Sequence, residues 1–269
     1  LRCVSDLPGD RNAPAQAQAE DGFHARAAAS GFESAPEQVE ILESGLRFVI
    51  RPRERLSPGL FLDMREPRAL LRERWKGRRV VNLFCYTGGF GVALAARNKV
   101  TNVDLSTRTL DWARENYRAN GLPTRDDGFV TCDAFAWMDD AIAAGKRFDA
   151  VIIDPPTASR GKDRRARQFS LRRDLGWLIE RGLDMLADGG ELFVSTNYRA
   201  LTPSAFKSVV VGVARDWDYW LEKSWSAPLD FPARPEDYHL KTALLRPRTP
   251  QTKAGRKRVT PSRRDAANR

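Results

Sequence analysis

Apolar and polar positions along the chain fall into short, regularly spaced blocks. Between Val39 and Pro52 the run V-E-I-L-E-S-G-L-R-F-V-I-R-P reads as two β-prone segments meeting at Ser44-Gly45, which predicts a hairpin. Gly59 to Arg65 follow, and then a helical stretch to about Trp75. Beyond Gly77, apolar runs that read as buried strands recur at Val80 to Phe84, Thr101 to Asp104, Gly128 to Thr131, Phe148 to Ile153 and Glu191 to Ser195. Amphipathic segments lie between them. The clearest spans Thr107 to Ala119, with Ser106 placed to cap it and Asn120-Gly121 to stop it. Strands alternating with helices predict an α/β fold, a mostly parallel Rossmann-like sheet covered by helices on both faces and preceded by the small hairpin. A late strand pair is expected around Leu240 to Leu245, within Asp230 to Pro247.

Residues 1–38 show little periodicity and read as a flexible or partly helical extension. Hairpin and helix then occupy 39–76, the main domain 77–247 and a tail 248–269. Length and apolar content change little in this picture: 269 residues with 42% apolar side chains fill one large core and are short for two catalytic domains.

Charge adds more. The net charge is +10, yet residues 1–40 carry seven acids against three arginines, so the basic excess belongs to the body and tail. Residues 246–269 hold nine Lys or Arg and one acid, Asp265, as expected of an arm that meets a polyanion. No apolar run is long enough to cross a bilayer, and no signal-peptide pattern opens the chain, so a soluble cytoplasmic protein is expected. Cys3, Cys85 and Cys132 are scattered, and His24 and His239 lie far apart; neither a disulfide framework nor a metal site is indicated. Monomer and homodimer both remain open.

In doubly wound sheets the ligand lies beyond the carboxyl ends of the strands, near the point where strand order reverses. Four predicted strand ends carry suitable chemistry. The first runs into Asn82-Leu83-Phe84-Cys85-Tyr86-Thr87-Gly88-Gly89-Phe90-Gly91, whose glycines let backbone approach a ligand but do not form a dinucleotide fingerprint. The second ends in Asp104-Leu105, where a carboxylate can accept hydrogen bonds from both ribose hydroxyls of an adenosine. At the third, Asp133-Ala134-Phe135 places an acid near an adenine amino group. The fourth, Asp154-Pro155-Pro156-Thr157, stiffens a loop with two prolines and leaves one carboxylate facing the pocket.

Taken together, G-x-F-L-D-x-R, N-L-F-x-Y-T-G-G-F, V-D-L-S before a helix ending E-N-Y-x-x-N-G-L, D-A-F and F-D-x-x-I-x-D-P-P resemble the RlmI and RlmK type of large-subunit ribosomal RNA methyltransferases over about residues 41–246. The resemblance implies S-adenosyl-L-methionine as cofactor and RNA, 23S ribosomal RNA in particular, as partner. It also implies that Phe61, Asp63 and Arg65 enclose the cofactor, Arg65 meeting its methionine carboxylate. By the same implication Asn82, Phe84, Tyr86, Thr87 and Gly88 line the amino-acid end, Asp104 and Leu105 the ribose, and Asp133 with Ala134 the adenine. Asp154 then borders the transferred methyl.

One departure narrows the chemistry. Members that methylate cytosine C5 place a nucleophilic cysteine in a Ser-Cys-Ser element, whereas this chain reads Ser195-Thr196-Asn197, and Cys85 and Cys132 do not replace it. Carbon methylation is therefore disfavoured, and the Ser-Thr-Asn element resembles that of the guanine N7 branch, which implies a base nitrogen, guanine foremost, as acceptor. Asn197 would bind a base edge, and Asp154 with the Pro155 carbonyl would orient an amine. A ring nitrogen needs alignment alone. Arg160, Lys162, Arg164 and Arg165, directly after the prolines, are candidate phosphate contacts. The alternatives are a cytosine C5 enzyme, a small-molecule or protein methyltransferase on the same scaffold, and a non-catalytic RNA-binding factor.

Overall fold

A computed structural model of the chain describes residues 35–54, 57–156, 158–159, 169–231 and 239–248. The extension up to residue 34, most of the basic segment after Pro156, and the tail from residue 249 lie outside the described residues.

The hairpin forms where expected. Strands β1 (Val39–Glu43) and β2 (Leu46–Ile50) pair antiparallel, and the turn between them uses left-handed backbone at Ser44 (φ 50°) and Gly45 (φ 77°). Two successive positive φ values give a turn whose twist matches the strands it joins. The hairpin stands outside the main sheet. A short 3-10 turn, Leu62–Met64, then leads into α1 (Arg65–Arg74).

Nine further elements build the central alternation: β3 (Arg79–Leu83), α2 (Gly89–Ala95), β4 (Lys99–Asp104), α3 (Thr107–Ala119), β5 (Phe129–Thr131), α4 (Ala134–Ala143), β6 (Phe148–Ile153), α5 (Leu171–Asp184) and β9 (Leu186–Thr196). A two-residue pair, β7 (Ala158–Ser159) with β8 (Phe169–Ser170), lies between β6 and α5. The chain continues through α6 (Pro203–Asp216), β10 (Tyr219–Lys223) and β11 (Lys241–Pro247). Helix α3 has the predicted bounds. Ser106 caps it, its Oγ accepting from the Thr109 amide at 3.2 Å, and Gly121 (φ 64°) turns the chain away.

Among the described residues the main sheet has seven strands in the order β10-β11-β9-β6-β3-β4-β5. Strands β9, β6, β3, β4 and β5 are parallel, and β11 and β10 are added antiparallel at one edge. This is the doubly wound α/β architecture expected from the sequence. Two details differ. The late segment supplies one strand, not a pair: β11 lies between β9 and β10, and its partner β10 is drawn from residues before Asp230. Strand β9 also starts at Leu186, earlier than the apolar run predicts, because a register shift opposite Phe148 and Ala150 accommodates Asp188-Gly189-Gly190.

Alternate side chains on each strand enter opposite cores, which explains why these strands read as continuous apolar runs. Val81, Leu83, Val151, Ile153, Leu192 and Val194 pack with α4, α5 and α6. Val80, Ala150, Ile152 and Phe193 pack with Leu71 and Trp75 at α1 and with Phe90 and Leu94 of α2. A third cluster joins Phe48 and Ile50 of the hairpin to Val92, Leu110, Ala113 and Tyr117. Each Val, Leu, Ile or Phe buried in this way contributes about 1.5–3 kcal/mol of hydrophobic stabilisation. The hairpin is further pinned by the Val49 amide donating to Asn116 Oδ1 at 2.8 Å and Trp112 Nε1 donating to the Val49 carbonyl at 2.9 Å. No helix among the described residues is long and apolar enough to cross a membrane.

Candidate functional site

Strand order reverses between β3 and β6: from β3 the chain fills the sheet outward through β4 and β5, and from β6 it fills the other side through β9. At the carboxyl ends of these strands lies a cavity of about 380 Å³. Its position follows from the topology, because adjacent connections leave the sheet in opposite directions there and open a crevice.

The loop after β3 forms one wall. Phe84 (φ 58°), Tyr86 (φ 51°) and Gly88 (φ 75°) alternate through left-handed backbone, a conformation costing about 1–2 kcal/mol for each residue that bears a Cβ. Hydrogen bonds hold the loop in that form. The Cys85 amide donates to Val103 O at 3.1 Å, the Tyr86 amide to Asp104 Oδ2 at 2.9 Å, and the Gly88 amide to Cys85 O at 2.9 Å. Tyr86 Oη donates to Ser57 O at 3.1 Å, and Thr87 Oγ1 to Gly59 O.

Asp104, at the end of β4, is the most heavily bonded acid of the site. Besides Tyr86, its Oδ1 accepts from the Ser106 amide at 3.0 Å and from Thr109 Oγ1 at 3.1 Å. Asp133, at the end of β5, lines the cavity and also caps α4, its Oδ1 accepting from the Phe135 and Ala136 amides. Phe135 meets Phe84 edge-on at 5.3 Å between centroids. Together with Leu105 these residues line one part of the cavity, aromatic and aliphatic groups beside two carboxylates.

Asp154, at the end of β6, is different in kind. It accepts from Ser195 Oγ at 2.8 Å, and Ser195 is fully buried at the end of β9. Burial pushes the Asp154 carboxyl up to about 6; the Ser195 hydrogen bond pulls it back, and the nearby Asp63 carboxylate adds to the rise. Burial likewise raises Asp63, offset in part by His239 and Arg68. Pro155 and Pro156 continue the wall, and Asn197, exposed where β9 ends, faces it across the opening. The Asn197 side chain makes no hydrogen bond with a described residue.

The cavity therefore brings together Phe61, Asp63, Asn82, Phe84, Tyr86, Thr87, Asp104, Leu105, Asp133, Ala134, Asp154, Pro155 and Asn197. Phe61, 42% exposed, leans on the Tyr86 ring at 5.7 Å. Asn82 is buried and donates to Asn102 Oδ1 at 3.0 Å. Gly88 does not line the cavity; it starts α2, and a Cβ there would stand 3.0 Å from that of Ala113, so its role is a tight passage against α3. Arg160, Lys162, Arg164 and Arg165 lie outside the described residues.

Arg65, expected beside the cofactor, is not among the residues that line the cavity; its guanidinium pairs with Asp230. Arg68, one turn later, occupies the wall instead and is 3% exposed. Its Nε and Nη2 donate to the two Glu43 oxygens at 2.7 Å each, and Nη2 also donates to Phe61 O at 2.9 Å. Nη1 makes no hydrogen bond with a described residue and borders the space that the absent side chain of Gly89 leaves open, since a Cβ at Gly89 would stand 3.7 Å from it. Helical spacing carried this signal: Met64, Pro67, Arg68 and Leu71 form the buried face of this segment, and Arg65 falls outside it. Leu60, Phe90 and Leu240 line the cavity without having been singled out from the sequence, the last because it lies just before β11, far along the chain.

Cys85 lines the cavity, and burial pushes its thiol well above the usual range, so it is held protonated and is a poor nucleophile. Cys132 is only partly buried. The described residues contain no cluster of three or more His, Cys, Asp or Glu suited to a metal.

The donor set fits an adenosine that carries an amino-acid tail. A fixed carboxylate suits a ribose diol, the space beside Phe135 suits a purine, and an open guanidinium N–H suits a carboxylate at the far end. Residues 23–246 match the family model described as S-adenosylmethionine-dependent methyltransferase. The ribosomal RNA large subunit methyltransferase K/L of Shewanella loihica is 40% identical over 159 residues, 58% of this chain and 22% of that protein. The ribosomal RNA large subunit methyltransferase K of Neisseria meningitidis is 37% identical over 162 residues, 60% of this chain and 46% of that protein. The chain thus spans less than half the length of either relative. The crystal structure of SMU.776 complexed with SAH superposes with a TM-score of 0.73 at 31% identity, covering 79% of this chain and 56% of that one. Because the family match takes in the hairpin, the parallel strands and every residue of the cavity wall, the chain belongs to the S-adenosylmethionine-dependent methyltransferases.

Proposed function

We propose that this chain transfers a methyl group from S-adenosylmethionine to a nitrogen of a guanine base in 23S ribosomal RNA, as enzymes of the RlmI and RlmK type. The observation that carries the reading is the convergence on one cavity of Asp104, suited to an adenosine, and Asp154-Pro155 with Asn197, suited to a base edge. The names of the relatives, ribosomal RNA large subunit methyltransferases, support RNA as the acceptor.

When bound, the cofactor supplies an electrophilic methyl on a sulfonium centre. Asp104, locked by three donors, holds the ribose; Asp133 and Ala134 meet the adenine; Arg68 Nη1 anchors the methionine carboxylate. Asp63 and Asp154 give that end of the cavity negative charge, which favours a cationic ligand over its neutral product. Asn197 and the Pro155 carbonyl align the base. Catalysis of transfer to nitrogen rests mainly on this alignment, with reacting atoms about 3–3.5 Å apart. Where the acceptor is an exocyclic amine a proton must also leave, and Asp154, raised to about 6, is suited to receive it near neutral pH. Carbon methylation would need a thiolate, and the one thiol of the cavity wall, Cys85, is held neutral. Arg160, Lys162, Arg164 and Arg165 are proposed to contact the phosphate backbone.

The test is incubation with labelled S-adenosylmethionine and undermethylated 23S ribosomal RNA, followed by mass spectrometry of the nucleosides. Label in a methylguanine supports the reading. Label in 5-methylcytosine, in protein or in a small molecule replaces it, and no incorporation with intact RNA binding marks a non-catalytic factor.

A further inference from the structure

Lys241 is a buried cation for which the reaction described so far has no use. It opens β11, is 4% exposed, and lies opposite Thr196 in the ladder with β9. Its ammonium meets no carboxylate among the described residues. Nζ instead donates to two backbone carbonyls, Tyr198 O at 3.0 Å and His239 O. Burial lowers its proton affinity, as expected for a charge kept from water with only carbonyl dipoles around it.

The location gives this arrangement a purpose. The pairing of β9 with β11 ends at Thr196 and Lys241, and beyond that point the two chains separate. The first residues past the ladder are Asn197 on one side and Leu240 on the other, and both line the cavity. No backbone bond of the sheet holds them there. Around Asn197 the turn is fastened instead by Thr196 Oγ1, which accepts from the Tyr198 amide at 3.1 Å, and by Tyr198 O, which takes both the Leu201 amide at 3.2 Å and Lys241 Nζ. The Asn197 side chain, within this turn, makes no hydrogen bond with a described residue. The ammonium carries three donors on a long flexible stem, enough to tie both diverging carbonyls at once.

We propose that Lys241 is a positioning residue of the methyl-acceptor side: it clamps the Asn197 turn to the entry of β11 and so fixes where Asn197 presents its amide to the base. The inference rests on the reading of Asn197 as a base contact. It assigns Lys241 no contact with cofactor or RNA.

The experiment compares Lys241→Arg, Lys241→Gln and Lys241→Met with Asn197→Ala and with the double variant Lys241→Met/Asn197→Ala. The readouts are steady-state methylation of undermethylated 23S ribosomal RNA, calorimetric binding of S-adenosylhomocysteine, and hydrogen exchange. Lys241→Met is expected to lower kcat/KM for RNA about tenfold, with Lys241→Gln between it and the wild type and Lys241→Arg near wild type. Affinity for S-adenosylhomocysteine should stay within about twofold, because its wall is built from other strands. Exchange should quicken at residues 197–201 and not at 82–88. The double variant should be no worse than Asn197→Ala alone. Should Lys241→Met not fold, Lys241→Gln carries the same comparison. Additive losses, a parallel loss of S-adenosylhomocysteine affinity, or lower thermal stability with unchanged kcat/KM would overturn the proposal and leave Lys241 a staple of the fold. A silent Asn197→Ala beside an impaired Lys241→Met would overturn the reading of Asn197, and with it this route of action; a silent Lys241→Met beside an impaired Asn197→Ala would overturn the clamp alone.

Discussion

Asp104 and Asp154 stand at the ends of strands two places apart in one sheet and face one cavity, yet they are held in opposite ways. Three protein donors surround Asp104, two of them backbone amides, so its geometry is set before any ligand arrives. Among the described residues Asp154 has a single donor, the Ser195 hydroxyl, and it sits where burial works against its charge. The first arrangement suits a group that recognises, since a fixed acceptor loses little freedom on binding. The second suits a group whose proton occupancy changes near neutral pH. Under the proposed function, one crevice would separate holding from reacting by the number of donors given to each carboxylate.

The comparison breaks first if Asp104 is dispensable. Asp104→Ala should weaken S-adenosylhomocysteine binding by about a hundredfold or more, through lost ribose contacts and through release of the Tyr86 amide that shapes the loop. Calorimetric titration checks this, and unchanged affinity would remove the adenosine assignment.

Asp154→Asn should lower kcat by about ten- to a hundredfold while leaving that affinity nearly intact. The same substitution should stabilise the fold. The folded-state value of about 6 lies above the ordinary 3.8, so the contribution of Asp154 to stability is intact below about 4 and is lost as pH rises through 6. Replacement by Asn should therefore raise stability at pH 8 by up to about 3 kcal/mol and change little at pH 3.5, readable from denaturant unfolding at the two pH values.

A finer test concerns Ser195. Wild-type kcat should rise with pH through about 6 if the acceptor is an exocyclic amine, and stay level there if it is a ring nitrogen. Where the rise is seen, Ser195→Ala should move its midpoint upward, because the lost hydrogen bond favoured the ionised form, and should cost about fivefold in rate at pH 6.5.

The smallest effect belongs to the arginine the sequence singled out. Arg65→Ala should change cofactor affinity by less than about twofold, since an exposed ion pair with Asp230 contributes little. Arg68→Gln, paired with Glu43→Gln so that no carboxylate is left stranded, should weaken S-adenosylhomocysteine about tenfold and 5′-methylthioadenosine hardly at all.

These two arginines show where sequence reading stops. Elements governed by local rules were legible: the Ser44-Gly45 turn, the Ser106-capped helix, the Phe148–Ile153 strand, and hence the carboxyl ends at which Asp104, Asp133 and Asp154 sit. What depended on distant chain was not. Arg68 faces inward because Glu43, in the hairpin, claims it, and a helix one turn long in uncertainty offers two candidates. The periodicity of Met64, Pro67 and Leu71 would have chosen between them. Strand β11 was placed, but its partner was not, since the pairing with Tyr219–Lys223 spans residues 224–240, a connection far longer than a hairpin turn. Leu240 entered the cavity by the same long-range route.

The hairpin lies outside the sheet, yet its Glu43 orients the guanidinium in the cavity wall. With Arg68 as the proposed anchor of the ligand carboxylate, ligand occupancy and hairpin docking would be thermodynamically linked: whatever favours the first opposes release of the second, to the same degree in free energy. At a ligand concentration a hundred times its dissociation constant, local detachment of β1 and β2 becomes harder by as much as about 2.7 kcal/mol, so amide exchange in a peripheral ribbon serves as a gauge of a pocket it never enters.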